Sequence, residues 1–152
     1  MPELSAPLLV HLARRMQTEA EAELTAFGLR ARHVIALTLL RDLGEQNQSG
    51  LPAMLGIDAT NVVALLNDLE ADGLVERRRS TEDRRRHTVT LTGAGRRKLT
   101  EIEEVLSVVE RRVLGALSDA EQHDLYSLLA RATASACTEV LPAAQACIEG
   151  SE

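Results

Sequence analysis

Residues 55–92 read LGIDATNVVALLNDLEADGLVERRRSTEDRRRHTVTLT, and the hydrophobic period changes within this stretch. Over residues 59–72 the apolar positions recur at helical spacing, at Val62, Leu65, Leu66 and Leu69. After Gly73 the pattern shortens, and Thr88–Leu91 alternates between polar and apolar residues as a half-buried strand does. The stretch therefore predicts a helix over residues 59–72 that is followed by a β-hairpin.

The residues before this helix predict a helix-turn-helix. A short helix is expected over Gly50–Leu55, with Ser49 as its N-cap and Pro52 in its first turn. Gly56 and Ile57 form the turn, and Asp58 is expected to cap the next helix. The hairpin would pair Leu74–Val75 with Thr88–Leu91 around an Arg-rich loop of residues 77–86. A helix-turn-helix followed by such a hairpin is a winged helix.

Longer helices are predicted on both sides of this unit. Leu8–Leu24 is amphipathic, and Ala31–Leu43 is apolar nearly all round, which indicates a buried helix. Glu45–Gln48 is expected to be a polar connection. Thr92 would cap a helix that runs to about Leu117. Ser118 and Glu121 have the spacing of a capping box for a last helix that reaches about Ala132.

The predicted fold class is mostly α with a small β-hairpin wing: a winged helix-turn-helix flanked by N- and C-terminal dimerisation helices. The outer helices have larger apolar faces than one small winged-helix unit needs, and dimerisation would bury them. We expect one chain, 1–152, with a DNA-binding lobe over 30–92 and dimerisation helices over 1–29 and 93–152.

Composition excludes several classes of protein. Phe27 and Tyr126 are the aromatic residues, so a β-sandwich and single-strand binding by base stacking are both disfavoured. No apolar run approaches the roughly 20 residues that span a bilayer. The N-terminus lacks the basic start and apolar stretch of a signal peptide. We therefore expect a cytoplasmic protein without a membrane partner.

The net charge of −6 hides an asymmetry along the chain. Residues 76–98 contain nine Lys or Arg against three acids, a net charge of +6, while the remaining 129 residues carry −12. Most of the surface should repel polyanions, and one basic segment should attract them.

The spacing of several motifs resembles that of the MarR family of bacterial transcription regulators. The matching pattern is LE-x-x-GLVER, then EDRR, then VTLT-x-x-G, within residues 69–95, and the likeness runs from about residue 5 to 135 in the same element order. The resemblance implies a homodimer on a pseudo-palindromic double-stranded operator, in most cases as a repressor. Helix 59–72 would enter the major groove and wing 76–87 the adjacent minor groove. Many members are released from DNA by a small-molecule effector.

The predicted DNA-contacting residues belong to the helix and to the wing. Asn can pair with adenine through two hydrogen bonds, and Thr can contact a phosphate or a thymine methyl group. A guanidinium can neutralise phosphates or enter a narrow minor groove. On the family pattern, Asp83 is hypothesised to orient Arg85. The predicted set is Thr60, Asn61, Ala64, Asn67, Arg77, Arg79, Asp83, Arg84, Arg85 and Arg86.

Two alternatives remain open at this stage. The recognition helix has no Arg or Lys, so the chain could be a ligand-sensing or protein-interaction module with weak, non-specific DNA binding. Asn61 and Asn67 could equally be surface polar residues. An enzyme is disfavoured, because the sequence has no nucleophile elbow, Gly-rich phosphate loop or metal-ligand spacing.

The cysteines and histidines predict no cofactor and no metal. Cys137 and Cys147 fit no metal or thioredoxin-like spacing, and inert thiols are expected rather than a redox switch. The histidines at 11, 33, 87 and 123 are scattered. His11 and His33 lie on the helices that flank the family's effector pocket, although a satisfied interior or surface histidine is the simpler interpretation of each.

Overall fold

The computed structural model describes residues 2–136 and has the predicted mostly-α winged-helix architecture. Six helices and a small antiparallel sheet follow one another along these residues. They are α1 Ala6–Ala26, α2 Ala31–Leu43, β1 Gln46–Asn47, a 3-10 turn Gln48–Gly50, α3 Leu51–Leu55, α4 Ala59–Ala71, β2 Val75–Arg79, β3 His87–Leu91, α5 Gly93–Val113 and α6 Asp119–Ala136. Cys137 and Cys147 lie outside the described residues.

The sheet has three strands in the order β1-β3-β2. In the hairpin Val75 pairs with Leu91 and Arg79 with His87, while Gln46 of β1 pairs with Val89. The predicted polar connection at Glu45–Gln48 was therefore wrong in part. Two residues are too few to show an alternating pattern, and this strand forms because an open edge of β3 lies beside it.

The hairpin loop is shorter than the sequence predicted. Arg77, Arg78 and Arg79 are strand residues of β2, so the loop comprises residues 80–86 rather than 77–86. Charged residues on an exposed edge strand lack the apolar alternation that identifies a strand in sequence. They pair with β3 nevertheless, at Arg77–Val89, Arg78–Thr88 and Arg79–His87.

Most predicted helix ends are confirmed by hydrogen bonds. The Asp58 carboxylate accepts from the Asn61 amide, the Thr92 hydroxyl accepts from the Gly95 amide, and Ser118 with Glu121 forms the capping box. Ser49 makes no cap, because the 3-10 turn before α3 continues directly into the helix. α5 ends at Val113 rather than near Leu117, since the following residues form a tight turn.

One apolar core joins the winged helix to α1 and α5. α2 is buried as predicted, with Leu37, Leu39 and Leu40 at most 2% exposed. From α4 the core takes Val62, Leu65, Leu66 and Leu69, and from α5 it takes Leu99 and Ile102. Ion pairs Arg112–Glu19 and Arg41–Glu103 link α5 to α1 and to α2.

The two ends of the described chain expose apolar side chains. Leu4, Leu8 and Val10 are at least half exposed, and the same holds for Tyr126 and Leu128 on α6. No residue of α6 whose side chain is described is buried. The assignment of these helices to dimerisation stays a prediction.

Among residues 2–136 no single helix is long and apolar enough to span a membrane. Two consecutive helical segments are long and apolar enough only when they are taken together, Gln48–Leu55 and Ala59–Ala71. The chain bends by 108° at the turn between them.

The N-terminus of α5 lies against the backbone just before β2. A Cβ on Gly95 would lie 2.1 Å from the Leu74 carbonyl oxygen and 2.6 Å from Leu91 Cδ1. Alanine in place of a helical glycine normally stabilises by about 0.5–1 kcal/mol. We expect Gly95→Ala instead to lower the free energy of unfolding by about 1–3 kcal/mol, because the backbone must move apart.

Gly93 supplies the control, since a Cβ there would meet only Arg97 Nη1 at 3.5 Å. Gly93→Ala should leave stability unchanged or slightly raised in the same denaturant titration. Equal effects of the two substitutions would show that α5 does not pack as described.

Candidate nucleic-acid interface

α4 presents one side to solvent because its other side belongs to the core. Asp58 fixes the start of the helix: Oδ1 accepts from the Asn61 amide at 2.8 Å, and Oδ2 accepts from Asn61 Nδ2 at 2.9 Å. Helical periodicity then places the exposed residues on the face opposite the buried ones. This exposed face comprises Thr60, Val63, Ala64 and Asn67.

A buried histidine holds α4 on the side of α2. His33 Nδ1 accepts the Arg30 backbone N–H at 2.9 Å, and Nε2 lies 3.2 Å from Asp68 Oδ2. An Nδ1 that accepts requires the neutral ring to carry its proton on Nε2, which donates to Asp68. His33 is therefore a satisfied interior histidine, whereas His11 is exposed.

An arginine of β2 holds α4 on the side of the wing. Arg77 Nη2 donates to Asn67 Oδ1 at 2.6 Å and to Glu70 Oε1 at 3.1 Å, while its Nε and backbone N–H both donate to Glu70 Oε2 at 3.2 Å. Hydrogen bonding from Arg77 lowers the pKa of the Glu70 carboxyl. The Arg77 side chain is only 19% exposed, so its charge is directed into the protein.

The wing loop is organised by local hydrogen bonds. The Ser80 amide donates to the Arg86 carbonyl at 2.8 Å, which closes the loop above the strands. Asp83 Oδ1 accepts the Arg85 backbone N–H at 3.0 Å, and Oδ2 lies 3.6 Å from Arg86 Nε. Asp83 thus contacts the main chain of Arg85 and the guanidinium of Arg86.

Acidic neighbours divide the wing arginines into two groups. Arg77 pairs with Glu70, Arg78 with Glu76 and Arg86 with Asp83. The Glu76 carboxylate raises the pKa of Arg78, which is therefore charged at every physiological pH. Within residues 2–136, Arg79, Arg84 and Arg85 have no acidic partner at ion-pair distance, and all are exposed.

A groove of about 350 Å³ joins the start of α4 to the wing. Ala59, Val62 and Val63 lie on one side, and Arg85, Arg86 and His87 lie on the other. The two predicted DNA-binding elements therefore border the same surface, with cations beside an uncharged helix face.

The predicted contact residues do not all have the same surroundings. Thr60 and Ala64 lie on the exposed face of α4, and Arg79, Arg84 and Arg85 are exposed on the wing. Asn61 lies towards α2, on a cleft it shares with His33 and Asp68. Asn67 and Arg77 bond to each other. Val63 is also exposed on α4 and was absent from the predicted contact set; the one available signal is an apolar residue next to the buried stripe.

Comparisons with known proteins identify the family. The MarR family model matches residues 30–87. The HTH-type transcriptional regulator YwoH of Bacillus subtilis is 31% identical over 119 residues, which are 78% of this chain and 85% of YwoH. The chain belongs to the MarR family. Its relatives are transcription regulators rather than enzymes.

Another relative is named as a transcriptional regulator of the hcr operon in Thauera aromatica, with 35% identity over 85 residues. That match covers 56% of this chain but only about half of the relative, 51%. The solved structure of wild-type MarR from E. coli in its apo form has a TM-score of 0.76 at 19% identity, and the match covers 87% of this chain and 98% of MarR. A mutant MarR from E. coli complexed with operator DNA has a TM-score of 0.64, also at 19% identity, over 84% of this chain and 92% of its own. At such identities the likeness concerns the MarR fold.

The Glu70–Arg77 pair predicts a pH-dependent stability. The pKa of the Glu70 carboxyl is lower in the folded protein than in the unfolded chain. The ion pair therefore stabilises the fold above the ordinary carboxyl pKa, and this stabilisation is lost as the pH falls through the pKa that Glu70 has in the folded protein. Glu70→Gln should therefore be less stable than the parent at neutral pH, and the difference should shrink at an acid pH below the ordinary carboxyl pKa.

Denaturant unfolding at both pH values measures this difference, and Glu104→Gln, at an exposed acid of α5, is the control. A Glu70→Gln deficit that stayed constant down to acid pH would contradict the ion pair.

Proposed function

We propose that this chain is a cytoplasmic, homodimeric transcription repressor that binds a pseudo-palindromic duplex DNA operator. Residues 59–72 would enter the major groove, and wing 76–87 would contact the adjacent minor groove and phosphates. One observation carries the proposal: Arg85, an exposed wing arginine without an acidic partner among the described residues, borders the same groove as the exposed start of α4.

Electrostatics supports duplex DNA as the partner. Each phosphate that an arginine neutralises releases condensed counterions, so affinity comes largely from such contacts. Arg79, Arg84 and Arg85 are available for them, whereas the rest of the acidic chain would repel DNA. The neighbouring α4 has the 13-residue length and exposed face of a helix that fits a major groove.

The exposed apolar residues at both ends support a homodimer. Leu8 is 68% exposed on α1, and Tyr126 and Leu128 are 68% and 59% exposed on α6. Apolar surface of this extent on long helices is ordinarily covered by a partner. A two-fold dimer would present two α4 helices, and half-sites about 34–36 Å apart would accept them. The E. coli MarR mutant of the same fold was solved as a complex with operator DNA, which supports an operator as the partner.

A cavity supports regulation by a small-molecule effector. It has a volume of about 430 Å³ and lies between α1, α2 and the helix-turn-helix, where Leu29, Ile35, Leu55 and Leu65 line it beside Glu21 and Arg30. A ligand that fits there better in one dimer geometry than in another would change the spacing of the two α4 helices and so the affinity for DNA.

A second candidate function is a ligand sensor or protein-interaction module with weak, non-specific DNA binding. The absence of Lys and Arg from α4 favours it, together with the bonding of Asn67 to Arg77. Binding selection from a random duplex library, with footprinting on the DNA upstream of the chain's own gene, distinguishes the two. A protected two-fold-symmetric site supports the repressor, and binding without sequence preference supports the alternative.

The unpaired wing arginines should determine the salt dependence of DNA binding. Arg84→Ala and Arg85→Ala should each weaken binding, and each should reduce the slope of log K against log salt by about 0.9 for every phosphate that is no longer neutralised. Fluorescence anisotropy between about 50 and 200 mM salt measures this slope.

Arg111→Ala, at an exposed arginine of α5, is the charge-matched control and should leave the slope unchanged. Identical slopes for the parent and both wing variants would refute the role of the wing.

The dimer should depend on the exposed apolar residues of α1 and α6. The double variant Leu8→Glu, Leu128→Glu should be a monomer of 16.5 kDa in light scattering, because a charge opposes burial of these helix faces. Its helical circular dichroism should be the same as that of the parent. Leu43→Glu, at another exposed leucine, should remain dimeric. A parent chain that is monomeric at micromolar concentration would overturn the dimer.

A further inference from the structure

Val63 is the large apolar residue on the exposed face of α4. Its neighbours Val62, Leu65 and Leu66 are at most 2% exposed, whereas Val63 is 40% exposed. It lies in the groove shared with Arg85 and Arg86. A valine in this position contributes little to the core, and the flanking guanidiniums would bring a polyanion to it.

Intramolecular bonds engage the amide and carboxylate side chains of α4. Bidentate pairing with adenine requires an Asn carbonyl that accepts and an amide that donates. Asn67 Oδ1 already accepts from Arg77 Nη2 at 2.6 Å, and Asn61 Nδ2 donates to Asp58. The remaining acids are also engaged, Asp68 with His33 and Glu70 with Arg77.

Apart from these amide and carboxylate side chains, the exposed face of α4 consists mainly of methyl groups. Val63 and Ala64 carry only methyl groups, and Thr60 adds one methyl group and a hydroxyl. In the major groove thymine alone of the four bases presents a methyl group, its C5 substituent. An apolar helix face beside cationic residues therefore matches thymine, and Thr60 supplies its one hydroxyl for the hydrogen-bonding edges of other bases.

We propose that Val63 is a specificity-determining residue that contacts the C5-methyl group of a thymine in each operator half-site. This inference rests on the proposed function and names the base that the helix recognises. Recognition is then by apolar burial rather than by hydrogen bonding. Replacing that thymine by deoxyuridine removes the methyl group and leaves the Watson–Crick pairing and the hydrogen-bonding groups of the groove unchanged.

Deoxyuridine scanning of a selected duplex tests the contact. A duplex enriched from the random library is synthesised with deoxyuridine at one thymine at a time, in both half-sites symmetrically, and its Kd is measured by anisotropy. We expect one such position to weaken binding of the parent chain about three- to five-fold for each buried methyl group. For Val63→Ala the same replacement should have little effect, so the two changes should be strongly non-additive.

Two further variants complete the comparison. Val108→Ala makes the same chemical change at a 52% exposed position of α5 and should retain the full deoxyuridine penalty. Thr60→Ser removes the methyl group of Thr60 on the same helix face and keeps its hydroxyl, and it should retain the penalty as well. A penalty that disappears in Thr60→Ser but persists in Val63→Ala would assign the contact to Thr60 and overturn the inference.

The outcomes separate the inference from the proposed function. Failure of the library to yield any preferred duplex would refute the operator-binding function and with it the role of Val63. A tightly bound duplex without any deoxyuridine-sensitive position, or with a penalty that persists in Val63→Ala, would refute only the thymine contact.

Discussion

The close approach of α5 to the backbone between α4 and β2 is the constraint on which the other elements depend. The Thr92 hydroxyl donates to the Gly73 carbonyl at 2.7 Å, the Thr92 amide donates to the Leu74 carbonyl at 3.1 Å, and Gly95 leaves no room for a side chain against that same carbonyl. Four elements meet there: the end of α4, the start of β2, the end of β3 and the start of α5. The orientation of the recognition helix relative to the wing follows from this contact.

Two further contacts make α4 a rigid part of the structure. His33 holds it to α2 through Asp68, and Arg77 holds it to β2 through Asn67 and Glu70. A helix fixed on both sides retains its orientation when it meets DNA, which reduces the entropic cost of binding. The same contacts engage Asn67, Asp68 and Glu70 within the protein, so rigidity of α4 is obtained with the polar side chains of the helix itself.

The basic segment therefore serves two purposes. Arg77 and Arg86 are paired with acids and stabilise the α4–β2 contact and the wing loop, whereas Arg79, Arg84 and Arg85 are exposed and have no acidic partner among the described residues. A net charge summed along residues 76–98 does not reveal this division, because an ion pair depends on which side chains meet in space. The division explains how a strongly basic loop can be both folded and available.

The sequence by itself determined the fold class, the helix-turn-helix, the hairpin and the MarR family, because hydrophobic period, capping residues and motif spacing are local properties. It also located the Arg-rich wing and the caps at Asp58, Thr92 and Ser118. Only the tertiary structure decided that residues 46–47 add a strand and that Asn67 and Arg77 bond to each other. Those outcomes depend on contacts between residues that are distant in sequence, and a local pattern cannot specify which partners such residues will meet.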